Sequence, residues 1–326
     1  MATAEQVKTL IKSYLGNERA RFCTTALQVA AHEAMQGHQA VAKEIRDLVD
    51  SAKVRHQPEV VPYTPDFENL VTLVDGEIYK NAIVLSESIR RDLDRLMREY
   101  KERTKLERFG LQYRRKILLV GPPGTGKTMT ASVLAAQLQL PLYRVRLDKI
   151  ITKFMGETSA KLRLLFDSMQ DRKGIYFFDE FDAIGSSRSD DNDVGEMRRV
   201  INSFLQFIEQ DLSGSIILAA TNNPRLLDSA MFRRFDDILE YALPEKEQII
   251  ILIQNSLGQF AENGTFDESV AAAAHNLCHA EIVKACNDAI KDVILNDKSH
   301  VTKELLLCMI EARKAFRKLS CAGAAG

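Results

Sequence analysis

The segment GPPGTGKT, Gly121–Thr128, has the spacing G-x-x-x-x-G-K-T. Gly121, Gly124 and Gly126, with Pro122, Pro123 and Thr125 between them, let backbone N–H groups turn inward as an anion nest. The loop follows the apolar run ILLV and precedes TMTASVLAAQL, so the positive end of a helix adds to that nest. Lys127 is expected to reach the outer phosphates of a nucleoside triphosphate, and the Thr128 hydroxyl to hold Mg²⁺. The expected cofactors are therefore ATP and Mg²⁺.

A second group of residues supplies the acids such chemistry needs. IYFFDEFD, Ile175–Asp182, is an apolar run that ends in carboxylates. Acids at the end of a buried strand are costly unless they meet a cation. Asp179 is expected to hold Mg²⁺, directly or through water, and Glu180 to polarise the attacking water as general base. Asp182 reads equally well as part of a solvated turn.

These residues need a scaffold that brings two strand ends together. KILLVG, LYRVRL, IYFFDE, IILAAT and ILEYAL (residues 116–121, 142–147, 175–180, 216–221 and 238–243) are short apolar runs separated by helical patterns. That alternation predicts a parallel sheet covered on both faces. After Pro244 only helical patterns follow, over 246–258, 267–278, 280–295 and 302–318, with Ile282, Ala285, Cys286, Ala289, Ile290 and Val293 as the clearest stripe. The predicted fold class is α/β: a P-loop NTPase core with a C-terminal helical lid, preceded by a small helical bundle.

The boundaries follow from composition. Residues 1–57 read as a three-helix bundle, with stripes at Val7, Leu10, Ile11, Tyr14 and Leu15, at Phe22, Ala26, Val29 and Ala30, and at Val41, Ile45, Leu48 and Val49. Pro58, Pro62 and Pro65 mark 58–75 as a linker. Residues 76–243 form the large α/β unit, 244–320 the lid and 321–326 a tail.

Beyond these motifs, ILAATNNPRLLDSAMFRRFDD (Ile217–Asp237) resembles the second region of homology of the AAA ATPases. The resemblance covers about residues 85–318. It implies that Asn222 is a polar sensor of the γ-phosphate, and that Arg233 and Arg234 are arginine fingers serving a neighbouring subunit's site. The two arginines are adjacent, as in the ESCRT-disassembling and microtubule-severing branch. KFMGETSAKLRLLFDSM (Lys153–Met169) resembles the first pore loop and the helix after it, with Phe154, Met155 and Gly156 as the residues that grip a polypeptide. An aromatic and a flexible thioether beside glycine hold varied side chains with little sequence preference. Flanking Lys153, Glu157 and Thr158 point to an exposed loop, and SSRSDDNDVGEM reads as another loop.

The resemblance implies a homo-hexameric ring that hydrolyses ATP to remodel or unfold a protein by threading it. A HORMA-domain protein as substrate and a protease as partner stay open. The acidic-Ile-Gly-Gly segment usual at the start of such domains is absent, which leaves the adenine pocket unassigned. His279 stands where the family has a small residue, so the sensor-2 contact is unassigned too.

Composition narrows the alternatives. The chain has 326 residues, 45% hydrophobic and 27% charged, with net charge −1, so no global field draws it to nucleic acid or anionic lipid. Residues 90–116 hold eleven Lys/Arg against five acids, yet aromatic residues do not interleave them in a base-stacking arrangement. A solvated helix with ion pairs is the simpler reading, and a DNA-associated loader or helicase-type ATPase is the alternative. A switch that threads nothing is another. Five cysteines without CxxC spacing fit a reducing, cytoplasmic setting. The N-terminus lacks a signal-peptide apolar core, and no run is long enough to span a bilayer. In HEAMQGH the histidines are six apart, not four, so they do not share a helix face as zinc ligands.

Overall fold

The computed structural model describes residues 8–9, 13, 19–55, 65–74, 83–152, 155–181, 191–224, 232–261 and 267–322. The chain divides into two units, Met1–Tyr63 and Thr64–Gly326.

The first unit contains α1 (Arg19–Met35) and α2 (Gln39–Arg55), packed on each other. Most of the expected first helix lies outside the described residues. Ala26, Val29, Ala30 and Ala42 are buried, whereas Val41 is 47% exposed. Of the expected stripe of α2, Val41 is thus on the exposed side, with Ala42 buried next to it, and Ile45 is half-buried. His38 Nδ1 bonds Glu33 Oε2 at 2.7 Å and His32 Nε2 lies 3.1 Å from Gln36 Nε2, so HEAMQGH is occupied by hydrogen bonds within its own turn.

The second unit opens with α3 (Pro65–Leu70) and β1 (Val71–Val74). This corrects the expected linker: Phe67, Leu70 and Val71 are buried, and β1 pairs antiparallel with β3. Pro65 starts α3, where a missing N–H costs no helix bond. Then come α4 (Glu87–Lys101), α5 (Arg103–Arg108), β2 (Lys116–Val120), α6 (Lys127–Leu138), β3 (Leu142–Val145), α7 (Leu147–Ile150), α8 (Met155–Asp171), β4 (Ile175–Phe178), α9 (Asp191–Gln210), β5 (Ile216–Thr221) and β6 (Asp237–Glu240). Sheet order is β1-β3-β4-β5-β2-β6, and all pairs except β1–β3 are parallel.

Burial on both faces explains the uninterrupted apolar strands. Leu118, Val120, Tyr176, Phe178, Ile217 and Ala219 face one core, with Phe166 and Phe204 packed on Phe178. Ile117, Leu119, Ile175, Phe177, Ile216 and Leu218 face the other, covered by Leu93 and Leu96 of α4 and Leu134 of α6. In the basic stretch, Arg95 and Arg114 pair with Glu99, and Arg115 pairs with buried Asp211.

The lid follows as α10 (Lys246–Leu257), α11 (Glu268–Ala273), α12 (His279–Leu295) and α13 (Lys303–Ala322). Ile282, Ala285, Cys286, Ala289 and Val293 of α12 are fully buried against Leu252, Ile253, Leu306 and Ile310. Among the described residues, no helix is long and apolar enough to cross a membrane.

Candidate active site

Three neighbouring strands deliver the site at their carboxyl ends, where ligands sit in open α/β sheets. The loop Gly121–Gly126 leaves β2, Asn222 follows β5, and Asp179–Glu180 follow β4. Because β5 lies between β2 and β4, the loop and the acids stand two strand spacings apart, about 10 Å. Thr128, in the first turn of α6, crosses that gap. Its hydroxyl donates to Asp179 Oδ2 at 3.2 Å.

The loop needs its glycines for space as well as for conformation. At Gly121 (φ +153°) a Cβ would meet the Tyr241 carbonyl oxygen and lie 2.7 Å from Tyr241 Cβ. At Gly124 (φ +75°) it would lie 2.6 Å from Cys278 Sγ and 3.1 Å from Ala280 Cβ. Tyr241 is fixed in turn: its N–H donates to Val120 O and its hydroxyl to Thr130 Oγ1 at 2.7 Å. Burial pushes that phenol far above its ordinary range.

Lys127 is buried, with Nζ donating to Gly121 O at 2.7 Å, Pro122 O at 2.8 Å and Asn222 Oδ1 at 2.9 Å. Lysine and the expected sensor are thus in direct contact. Thr125 Oγ1 donates to Pro122 O, closing the loop on itself.

Asp179 and Glu180 stand between buried Phe178 and Phe181. The Glu180 N–H donates to Asp179 Oδ1 at 3.1 Å. Glu180 has φ +52°, a left-handed conformation that a non-glycine residue holds only when its neighbours impose it. That strain, invisible in the sequence, points the glutamate away from the strand into solvent. The oxygens of Thr128 and Asp179 are donors of the type Mg²⁺ takes. Among the described residues no cluster of three His, Cys, Asp or Glu forms another metal site.

The sequence reading missed two partners. Arg144 of β3 places Nη2 3.0 Å from Asp179 Oδ2. The lid reaches the loop as well: the Ala280 N–H donates to Gly124 O at 3.0 Å. His279 beside it interacts with the Val84 backbone, burial lowers its pKa, and its Nδ1 is buried without a hydrogen-bond partner. Cys278 caps α12, its N–H donating to Glu281 Oε2 at 2.7 Å.

Arg233 and Arg234 lie elsewhere. The Asp236 carboxylate accepts the N–H groups of Arg115 and Lys116, so this segment is bonded to the start of β2, whereas the phosphate loop follows its end. The strand separates them by about 13 Å. Arg234 Nε donates to Glu209 Oε1 at 2.7 Å; Arg233 is exposed and has no ion pair among the described residues.

Phe154 lies outside the described residues, as does the side chain of Met155. Two expectations next to them change. Met155 and Gly156 open helix α8 and do not form a free loop. Thr158 is fully buried, its hydroxyl accepting the Thr152 N–H at 3.1 Å, so it ties the two sides of the segment together. In SSRSDDNDVGEM, residues from Asp191 onward are helical, as the first turns of α9.

A phosphate loop at a helix N-terminus, facing two carboxylates across one strand, defines a P-loop nucleoside triphosphatase. The profile of the "ATPase family associated with various cellular activities (AAA)" matches residues 117–243. The chain is 34% identical to the uncharacterized AAA family ATPase y4kL of Sinorhizobium fredii over 314 residues, 92% of each chain. It is 31% identical to the proteasome-activating nucleotidase of Thermococcus onnurineus, over 67% of this chain and 59% of the relative. It is 28% identical to 26S proteasome regulatory subunit 7 of Dictyostelium discoideum, over 94% and 75%. The chain belongs to the AAA ATPase family, and it is an enzyme that hydrolyses ATP.

Proposed function

We propose that this ATPase works as a ring, each subunit completing its neighbour's site, and that hydrolysis drives remodelling of a protein. The observation that carries the ring is the position of Arg233. It is exposed, and its segment is anchored at the opposite end of β2 from the chain's own phosphate loop. An arginine placed there serves another copy's nucleotide. A protein substrate is supported by the names of two relatives, one proteasome-activating and one a proteasome regulatory subunit.

Within each site, Lys127 leaves the loop carbonyls for the outer phosphates; Thr128 and Asp179 would hold Mg²⁺, which would neutralise charge on the phosphates. Glu180 takes a proton from the attacking water, and Asn222, released from Lys127, orients that water. The nucleoside would sit between residues 83–86 and the start of α12, beside His279, which bonds the Val84 backbone. Phe154 grips the polypeptide.

The test is a mixture of Arg233→Ala/Arg234→Ala subunits with Lys127→Ala subunits. Each parent is expected to be nearly inactive, and the mixture to recover ATPase activity through interfaces that pair an intact loop with an intact finger. Full activity of a monomeric preparation would refute the ring. Phe154→Ala tests threading separately: basal ATPase and melting temperature should hold while unfolding of a bound protein is lost.

A further inference from the structure

Asp179 already has a cation. Arg144 lies on β3, opposite Phe177 in the parallel register with β4, and two residues past Phe177 the chain reaches Asp179. Its Nη2 stands 3.0 Å from Asp179 Oδ2, the same oxygen that accepts from Thr128 at 3.2 Å. The other carboxylate oxygen, Oδ1, is taken by the Glu180 N–H. Among the described residues Arg144 is the one cation within ion-pair distance of either Asp179 or Glu180.

The geometry sets up a competition. A Mg²⁺ held by both Thr128 and Asp179 would compete for Oδ2, since that oxygen accepts from Thr128. Arg144 bonds the same atom, and its positive charge repels a cation arriving there. The guanidinium is able to leave, because its side chain is 52% exposed while that of Asp179 is 17% exposed. Lys127 does not duplicate the role, being bonded to Gly121 O, Pro122 O and Asn222.

We propose that Arg144 is a positioning residue that exchanges with Mg²⁺ on Asp179, yielding the carboxylate as metal-nucleotide binds and reclaiming it as the product leaves. The inference rests on the Thr128–Asp179 metal site proposed above. It gives Arg144 two effects: it holds Asp179 oriented toward Thr128 between turnovers, and it lowers the affinity for Mg²⁺ so that Mg²⁺-ADP is released faster.

The experiment is a Mg²⁺ titration of ADP binding, read by a fluorescent ADP analogue, together with the dissociation rate of Mg²⁺-ADP. Neither measurement uses turnover. Arg144→Gln should lower the half-saturating Mg²⁺ concentration about 2- to 5-fold, the range set by loss of a partly exposed ion pair, and slow Mg²⁺-ADP dissociation to a similar extent. Arg144→Lys keeps the charge but not the planar fork, so it should shift both in the same direction by a smaller factor. That variant carries the test if Arg144→Gln fails to fold. A midpoint that stays put or rises in a folded variant overturns the proposal. Asp179→Asn in the same titration separates the two readings. If it leaves the Mg²⁺ midpoint unchanged, the metal site itself is wrong. If it raises the midpoint while the Arg144 variants do not lower it, only the exchange is wrong.

Discussion

The carbonyl of Gly124 accepts a hydrogen bond from the backbone N–H of Ala280 at 3.0 Å, so the phosphate loop is bonded to the first turn of a lid helix. Cys278 Sγ packs against the same glycine, in the space a side chain would fill. Lid position and loop conformation are therefore one variable: whatever shifts α12 pulls on the peptide that faces the phosphates.

Gly124→Ala is expected to destabilise the second unit by about 1–3 kcal/mol, through left-handed strain and overpacking, and to weaken nucleotide binding. Adding Cys278→Ala should restore the steric part and leave the strain. Melting temperature and ADP affinity of the single and double variants measure both. Equal losses in Gly124→Ala with and without Cys278→Ala would show that the contact is not the cause.

The two acids should fail differently. Asp179→Ala is expected to weaken Mg²⁺-dependent ATP binding, because it removes a metal ligand. Glu180→Gln should bind ATP normally but stall, because the amide keeps the shape and loses the base. Paired binding and turnover assays check this. Wild-type turnover by Glu180→Gln would remove Glu180 from the chemistry.

Much of this site is legible in the sequence, because its chemistry depends on residues close in the chain. Gly121–Thr128 needs only its own spacing and the strand and helix beside it, and the runs at 175–178 and 216–221 announce strands buried on both faces. Contacts between distant segments are what the sequence hides. Arg144 reads as one polar residue of a strand until β3 and β4 are put in register. The strand Val71–Val74 is masked by the prolines before it, and its exposed Thr72 and Leu73 give no clean alternation. The left-handed Glu180 stands between Phe178 and Phe181, both fully buried, a tertiary setting with no local signature.

His279 should make the second unit sensitive to acid. Burial holds its pKa below the ordinary histidine value near 6.5, so the folded state keeps the ring neutral. The unfolded chain takes up a proton first as pH falls, and stability is lost from about pH 6.5 down toward the lowered folded value. Above that window the term is constant. His279→Gln, which has no such proton to gain, should lose less melting temperature than wild type between pH 7 and pH 5. Parallel curves for the two proteins would contradict the assignment. The same variant should bind ADP more weakly at pH 7.5 if His279 meets the base.

Arg233 and Arg234 should not be equivalent. Arg234 is bonded to Glu209 at the end of α9, whereas Arg233 is exposed and has no ion pair among the described residues. Arg233 is therefore free to cross to a neighbouring site, and Arg234 shapes the segment from which it leaves. An arginine finger contributes about 10³–10⁵ in kcat where measured. Arg233→Ala is expected to lose most of the turnover with little change in melting temperature or in ADP affinity of its own site. Glu209→Ala, which removes the carboxylate bonded to Arg234 without touching either arginine, should lower turnover by a much smaller factor. The order matters because it depends on the geometry of this chain and not on the pair as a motif. If Arg234→Ala abolishes turnover while Arg233→Ala leaves it near wild type, the bond to Glu209 must break on assembly. Arg234 would then be the group that reaches across.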